Sequence, residues 1–319
     1  MYKPPYTITS KILKLTSDIV EAMTEIKQFE KKLSTPKLRK KNRVKSITGS
    51  LQIEGNTFTE EKVTAMIEGK RVLGSVKEIT EVEGAIKAYN HLDNYAFKNI
   101  NDLLYAHQLM MNNLLTDAGS FRKGNVGVMG KDGVSHIAPP AKRVNELMQN
   151  LFEWLSTTNE HLLVASCIFH YEFEFIHPFS DGNGRIGRLW QTIILKAYKD
   201  LFGYLPIESI VKENQQKYYD VLEQSGTDGE CTVFIEFMLD VILKTVKQFT
   251  DKSNHKSNLK SDQIILRLLK ANNKITIKQL CEKTKLSESG VKKVIRKLKD
   301  NSSLERVGSL KGGHWEVTE

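Results

Sequence analysis

A mainly α-helical chain of two units is what this sequence predicts, on three observations. Apolar residues recur at helical spacing through most of positions 8–250. Strand-like alternation with turn residues is confined there to one hairpin, 126–137. Beyond a polar stretch at 251–260, three short helical patterns and two short strands form a separate, smaller set. The 319 residues suffice for a well-buried core and two domains.

The elements follow in order. Residues 8–33 read as an amphipathic helix through Ile8, Ile12, Leu15, Ile19, Ala22, Ile26 and Phe29. Lys37 to Lys45 holds six Lys or Arg in nine residues and reads as a solvated helix face or loop. Ile47, Leu51 and Ile53 suit a short helix at 46–55, closed by Gly55. Glu54 is awkward there, because the carbonyl end of a helix repels a carboxylate; a distant cation would offset that. Thr57 to Glu60 leads into a helix at 60–70, and Ser75 caps another over 76–97. A helix at 100–114 carries His107. Val126 and Val128, then Val134 and His136, flank an Asp132-Gly133 turn in the predicted hairpin. Helices at 141–156 and 158–176 follow, the second apolar almost all round and so expected at the centre. Helices at 185–200, 211–224 and 231–250 complete the larger unit, and 251–260 reads as a linker.

The junction after the central helix concentrates chemistry: His177-Pro178-Phe179-Ser180-Asp181-Gly182-Asn183-Gly184-Arg185-Ile186-Gly187-Arg188. A Gly-rich turn opening a helix leaves backbone N–H groups for phosphate, which selects Gly182, Asn183 and Gly184. Arg185 and Arg188, three apart, suit one polyphosphate. Asp181 offers hard oxygens to Mg²⁺, which accompanies nucleotide phosphates. A neutral His177 imidazole can take a proton from an attacking hydroxyl. Phe179 reads as a core anchor, and His107, His136 and His170 as structural histidines.

These twelve residues resemble the Fic family motif, His-x-Phe-x-Asp-Gly-Asn-Gly-Arg-x-x-Arg, at every specified position. The resemblance covers roughly 40–245 and implies a Fic-type helical core with one β-hairpin flap. It implies transfer of AMP from ATP to a Ser, Thr or Tyr hydroxyl of a protein, with His177 catalytic and Asp181 holding Mg²⁺. Relatives that move the γ-phosphate instead depart from Gly-Asn-Gly, which this chain keeps. Ser50-x-x-x-Glu54-Gly55 resembles the N-terminal inhibitory signature of one class, so Glu54 is expected to pair with Arg188 and block productive ATP. In some relatives the same glutamate assists removal of AMP from the target. The hairpin residues Val126, Val128, Val134 and His136 match the target-binding flap, and Tyr219 a nucleotide contact. Relatives are often dimers, which makes a homodimer an expected partner.

The C-terminal set resembles a winged helix-turn-helix, with helices at 261–271, 276–284 and 287–300 and strands at Leu304–Val307 and His314–Val317. Residues 251–319 hold 16 Lys and Arg against 8 Asp and Glu, whereas 1–250 hold 31 and 30, so the net charge of +9 sits almost wholly in the tail. Lys292, Lys293, Arg296, Lys297 and Lys299 on the third helix make DNA an expected partner. The expected organisation is thus 1–98 N-terminal helices with the inhibitory segment, 99–250 catalytic core, 251–260 linker and 261–319 winged helix. No apolar run approaches the roughly 20 residues of a membrane span. The N-terminus lacks the apolar stretch of a signal peptide. Cys167, Cys231 and Cys281, odd and widely spaced, fit a reducing cytoplasm. Two alternatives stay open: a DNA-binding regulator with a Fic sensor, and a Fic transferase of another phosphate-containing group.

Overall fold

Buried apolar faces order the larger unit. The computed structural model describes residues 2–27, 35–130, 133–284, 286–308 and 312–318, with backbone alone for 25–27, 128–130, 133–136 and 250–260. It divides the chain into Met1–Lys247 and Gln248–Glu319. In the first unit the helices are α1 (Ser10–Lys27), α2 (Pro36–Ile53), α3 (Glu60–Ile67), α4 (Val76–Asn90) and α5 (Ile100–Met111). Strands β1 (Gly127–Gly130) and β2 (Gly133–Ile137) follow, then α6 (Ala141–Thr157), α7 (Leu162–Ile176), α8 (Asn183–Tyr198), α9 (Ile207–Glu213) and α10 (Gln215–Asp228). Helix α11 spans Thr232–Ala271, and α12 (Ile277–Thr284), α13 (Glu288–Asp300), β3 (Leu304–Val307) and β4 (His314–Val317) close the chain.

The fold is mainly α, with one hairpin in the larger unit and a winged helix-turn-helix region at the C-terminal end. The central helix is α7, whose Leu163, Ala165, Ile168, Phe169 and Phe173 are fully buried, and it packs against α8. His161 is its N-cap, with Nδ1 accepting from the Leu163 N–H, so the helix begins at Leu162, four residues later than the sequence reading placed it. Ser75 does cap α4, through a capping box with Glu78, but the helix stops at Asn90 and a 3₁₀ turn at Leu92–Asn94 follows.

Three expectations are corrected. The basic stretch and the short helix at 46–55 are one helix, α2, because no residue between Pro36 and Gly49 interrupts it. Gly49 is needed inside α2, since a Cβ there would come within 2.9 Å of the Glu208 backbone on α9. The helix expected at 211–224 is two, α9 and α10, broken at Asn214. Residues 251–260, expected as a linker, are helical; they contain no Gly or Pro, and low hydropathy alone does not oppose a helix.

β1 and β2 pair antiparallel, with Gly127 opposite Ile137, Val128 opposite His136, and an irregularity between Val128 and Met129. Asp132 of the expected turn lies outside the described residues. In the second unit Val291, Ile295 and Leu298 of α13 pack with Leu280, Leu304 and Trp315. Strand β3 pairs antiparallel with β4, Arg306 opposite Trp315. Among the described residues no helix is long and apolar enough to cross a membrane.

Candidate active site

The loop between α7 and α8 is built by interactions that leave its polar edge open. α7 ends because His177 turns left-handed, at φ 50° and ψ 61°. A residue bearing a Cβ in that conformation costs roughly 1–2 kcal/mol, so its surroundings must enforce it. Phe179 is fully buried and stacks on His107 with ring centroids 3.6 Å apart. Asn183 clamps it: Oδ1 accepts from the Phe179 N–H and Nδ2 donates to the Phe179 carbonyl, both at 2.9 Å. The Asn183 side-chain amide is thus spent on the loop, and its backbone N–H, the group expected at phosphate, is what remains for a ligand.

Gly182 caps α8 at φ 85°, and a Cβ there would also meet Met111 Sδ at 2.8 Å. With no side-chain cap on α8, its first N–H groups are available to an anion. Asp181 Oδ1 accepts from the Gly182 N–H at 2.6 Å and from Arg185 Nη2 at 3.2 Å. Its side chain is 58% exposed beside a cavity of about 410 Å³ also lined by Lys77 and Glu81. The His177 imidazole is half-buried, and Nδ1 lies 3.4 Å from the Glu174 carbonyl. A carbonyl only accepts, so this contact places the hydrogen on Nδ1.

Both guanidiniums of the motif are buried and engaged. Arg188 Nη2 lies 2.7 Å from Glu54 Oε1 and 3.0 Å from the Ser50 carbonyl, while Nε donates to Ser50 Oγ at 3.1 Å. Burial would pull the Arg188 guanidinium down, but the charge of Glu54 outweighs it and holds the pKa above its ordinary value. The Glu54 carboxylate reaches the start of α8 as well: a Cβ on Gly184 would be 2.4 Å from its Oε1. An anion thus already sits at the helix N-terminus. Arg185 Nη1 lies 3.8 Å from Glu81, whose Oε2 accepts from Asn56 Nδ2 at 2.8 Å.

The end of α2 is held by α9 and α10. Lys212 Nζ donates to the Gln52 carbonyl at 2.7 Å, and Gln215 Nε2 and Tyr219 Oη donate to that of Ile53 at 2.8 and 3.2 Å. The Gln52 carbonyl also takes the Gly55 N–H at 3.2 Å, and these side chains add donors at the frayed end of the helix. Tyr219, expected at the nucleotide, is therefore bonded to the end of α2; Gly55, at φ 88°, follows it. Val126 is half-buried just before β1, and the side chains of Val128, Val134 and His136 lie outside the described residues. A cleft of about 450 Å³ lies between the segment 116–126, which leads into β1, and Ser180 of the loop.

The sequence reading gave no role to Glu81, Lys212 or Arg122, and treated His107 as structural. His107 is fully buried; Nδ1 accepts from the Gly119 N–H at 2.8 Å, so Nε2–H donates to the Asp181 carbonyl at 3.0 Å. Burial lowers its pKa to about 4. The unfolded chain takes up this proton near pH 6.5, whereas the folded one resists to about pH 4. Its contribution to stability is complete above pH 6.5 and is lost as the pH falls toward 4, by about 3 kcal/mol. Urea unfolding across this range should show the decline, and His107→Asn should flatten it.

Comparison with known proteins agrees with this geometry. The Fic/DOC family model matches residues 97–195, and a winged helix-turn-helix DNA-binding model matches 259–301. A solved Fic family protein from Desulfovibrio desulfuricans is 40% identical, with 99% of this chain and 98% of that one covered and a TM-score of 0.77. Fic-1 from C. elegans, 20% identical with 77% and 72% covered and a TM-score of 0.62, shares the fold. Proteins named protein adenylyltransferase Fic from Culex quinquefasciatus and Drosophila melanogaster are each 30% identical, over 215 and 208 residues. Those matches take in 64% and 62% of this chain but only 41% and 40% of the relatives, so the chain spans about two fifths of their length. With the motif loop, the helical core and a full-length structural relative in agreement, the chain belongs to the Fic family.

Proposed function

We propose that this chain is an auto-inhibited protein adenylyltransferase, moving AMP from ATP to a Ser, Thr or Tyr hydroxyl of a protein. The observation that carries the reading is the Glu54 carboxylate, 2.7 Å from Arg188 at the uncapped start of α8. A carboxylate that pairs with the motif arginine at an uncapped helix start is what a blocked phosphate position looks like. The adenylyltransferase-named relatives support the same reading.

In this reading the N–H groups opening α8 bind phosphate oxygens, and Arg185 and Arg188 take the departing β- and γ-phosphates. His177 Nε2 takes the proton of the acceptor hydroxyl. The hydroxyl oxygen bonds to the α-phosphorus as the bond from that phosphorus to the bridging oxygen breaks, and pyrophosphate leaves. Asp181 fits a magnesium ion, since its exposed carboxylate offers one hard oxygen ligand beside the proposed phosphate site. When bound there, Mg²⁺ neutralises phosphate charge. The hairpin edge would register the target segment by strand addition.

The test is label retention. With the Glu54→Gly variant and a cell lysate, label from α-phosphate-labelled ATP should stay on protein and label from γ-labelled ATP should not. Retention of the γ-label alone would reassign the chain to phosphate transfer. Removal of AMP by Glu54 is read by adding the unlabelled parent chain to the labelled protein and following loss of the α-label, and a homodimer by light scattering.

A second reading rests on α13. Lys292, Lys293, Arg296, Lys297 and Lys299 all lie on its exposed face, opposite the buried Val291, Val294, Ile295 and Leu298. Lys292 and Lys297 already pair with Glu288 and Asp262, which leaves Lys293, Arg296 and Lys299 as the stronger phosphate candidates. Duplex DNA binding followed by anisotropy should then weaken with salt, and Arg296→Ala should reduce the log–log slope by about 1. A salt-independent signal would remove this reading.

A further inference from the structure

Arg122 is a buried guanidinium whose partners among the described residues are all backbone carbonyls. It is 3% exposed. Its Nε donates to the His177 carbonyl at 2.7 Å and Nη1 to that of Gly124 at 2.8 Å. Nη2 donates to Pro139 at 2.6 Å and to Ile176 at 3.3 Å. Its own backbone N–H donates to the Pro178 carbonyl at 2.9 Å.

These acceptors form two groups. Ile176 and His177 end α7, where the last carbonyls have no helical donor and a cation is favoured by the helix dipole. Gly124 and Pro139 flank the hairpin, before β1 and after β2. One planar fork therefore joins the catalytic turn to both roots of the hairpin. Lysine could not do this, because a single ammonium on a flexible stem lacks the fixed spread of five N–H donors. Burial lowers the pKa of Arg122, but from so high an ordinary value that it stays charged.

We propose that Arg122 is a positioning residue for the transfer: it holds His177 in its left-handed turn and fixes the hairpin roots, and so sets where the imidazole stands relative to a hydroxyl brought by the hairpin. This rests on the adenylyl-transfer reading above. The role is separable from nucleotide binding, because none of the carbonyls that Arg122 holds lies within 181–188, where the phosphates are placed.

The experiment compares Arg122→Lys and Arg122→Ala with the parent, all in the Glu54→Gly chain. In both variants kcat for α-label transfer should fall about 100-fold, as for a reacting group displaced by about 1 Å. Affinity for a non-hydrolysable ATP analogue with Mg²⁺, measured by calorimetry, should not change. A crystal structure of Arg122→Lys should show His177 out of its left-handed conformation and the Gly124 and Pro139 carbonyls apart. Unchanged kcat would overturn the proposal, and so would parallel loss of kcat and nucleotide affinity, which marks a purely structural role. If the parent transfers no label, the adenylyl-transfer reading has failed by itself. The crystal structure then decides the placement of His177, and a left-handed His177 retained in Arg122→Lys would overturn the proposal.

Discussion

Glu54→Gly should raise AMP transfer by about 10- to 100-fold, the value of freeing one charge-assisted contact between Arg188 and a phosphate. The geometry sets the sign. The Glu54 carboxylate takes Arg188 Nη2 at 2.7 Å and leans on Gly184, so it uses the same guanidinium and the same helix start that a triphosphate needs. Glycine at this C-cap position costs the helix little, since residue 54 already lies past the last helical turn. The variant should also be less stable without ligand, because Arg188 is 3% exposed and loses its carboxylate. With Glu54 itself 35% exposed, water screens the pair and the loss should be about 1–2 kcal/mol. ATP with Mg²⁺ should then raise the melting temperature of the variant more than that of the parent. Glu54→Gln, which keeps a hydrogen-bond acceptor but no charge, should fall between them. Equal rates in all three chains, measured with α-labelled ATP, would discard the inhibitory contact.

Lys212→Ala offers a milder form of the same release. Its ammonium caps the Gln52 carbonyl at 2.7 Å, one of three donors from α9 and α10 that hold the end of α2. The end of α2 is therefore fastened at two places: to the motif helix through Arg188, and to α9 and α10 through its last carbonyls.

What could be read from the sequence followed the distance over which each contact acts. The loop at 177–188 was legible because its parts are adjacent: the glycines, the carboxylate and the arginines are local in the chain and their spacing carries the chemistry. Glu54 and Arg188 are 134 positions apart, and only the inhibitory-helix signature joined them. Arg122 had no such signal. Its partners are backbone carbonyls, which every residue carries, so no pattern of side chains marks them. Glu81, the second carboxylate on Arg185, was one of several acids on a surface helix until folding chose it. Strands β3 and β4 have the bounds expected from their pattern, because Gly308 and Gly312 punctuate them. The break between α9 and α10 was missed, since Asn214 is a weak stop signal on its own. The helix through 251–260 was missed for the opposite reason: polar composition was taken as irregular structure, although polarity and helicity are independent properties.

His177→Ala should lower AMP transfer by about 10²- to 10⁴-fold, the usual worth of a positioned general base. The Nδ1 contact to the Glu174 carbonyl places the hydrogen on Nδ1, so Nε2 is the base in the proposed transfer. His107 is the nearest alternative in the loop's surroundings, yet both its ring nitrogens are committed to Gly119 and Asp181, and burial keeps it neutral above about pH 4. The fold should survive, because the half-buried His177 ring contributes little core packing. Alanine must still adopt the left-handed turn, but Arg122 grips the backbone carbonyl of residue 177 and not its side chain. Affinity for ATP with Mg²⁺ should likewise persist, since the phosphate donors lie at 182–188. The decisive measurement is transfer of α-label alongside nucleotide affinity in the Glu54→Gly chain. A variant that binds nucleotide normally and still transfers at the parent rate would remove His177 from the chemistry. Loss of both together would instead mean that the imidazole shapes the pocket and does not act as the base.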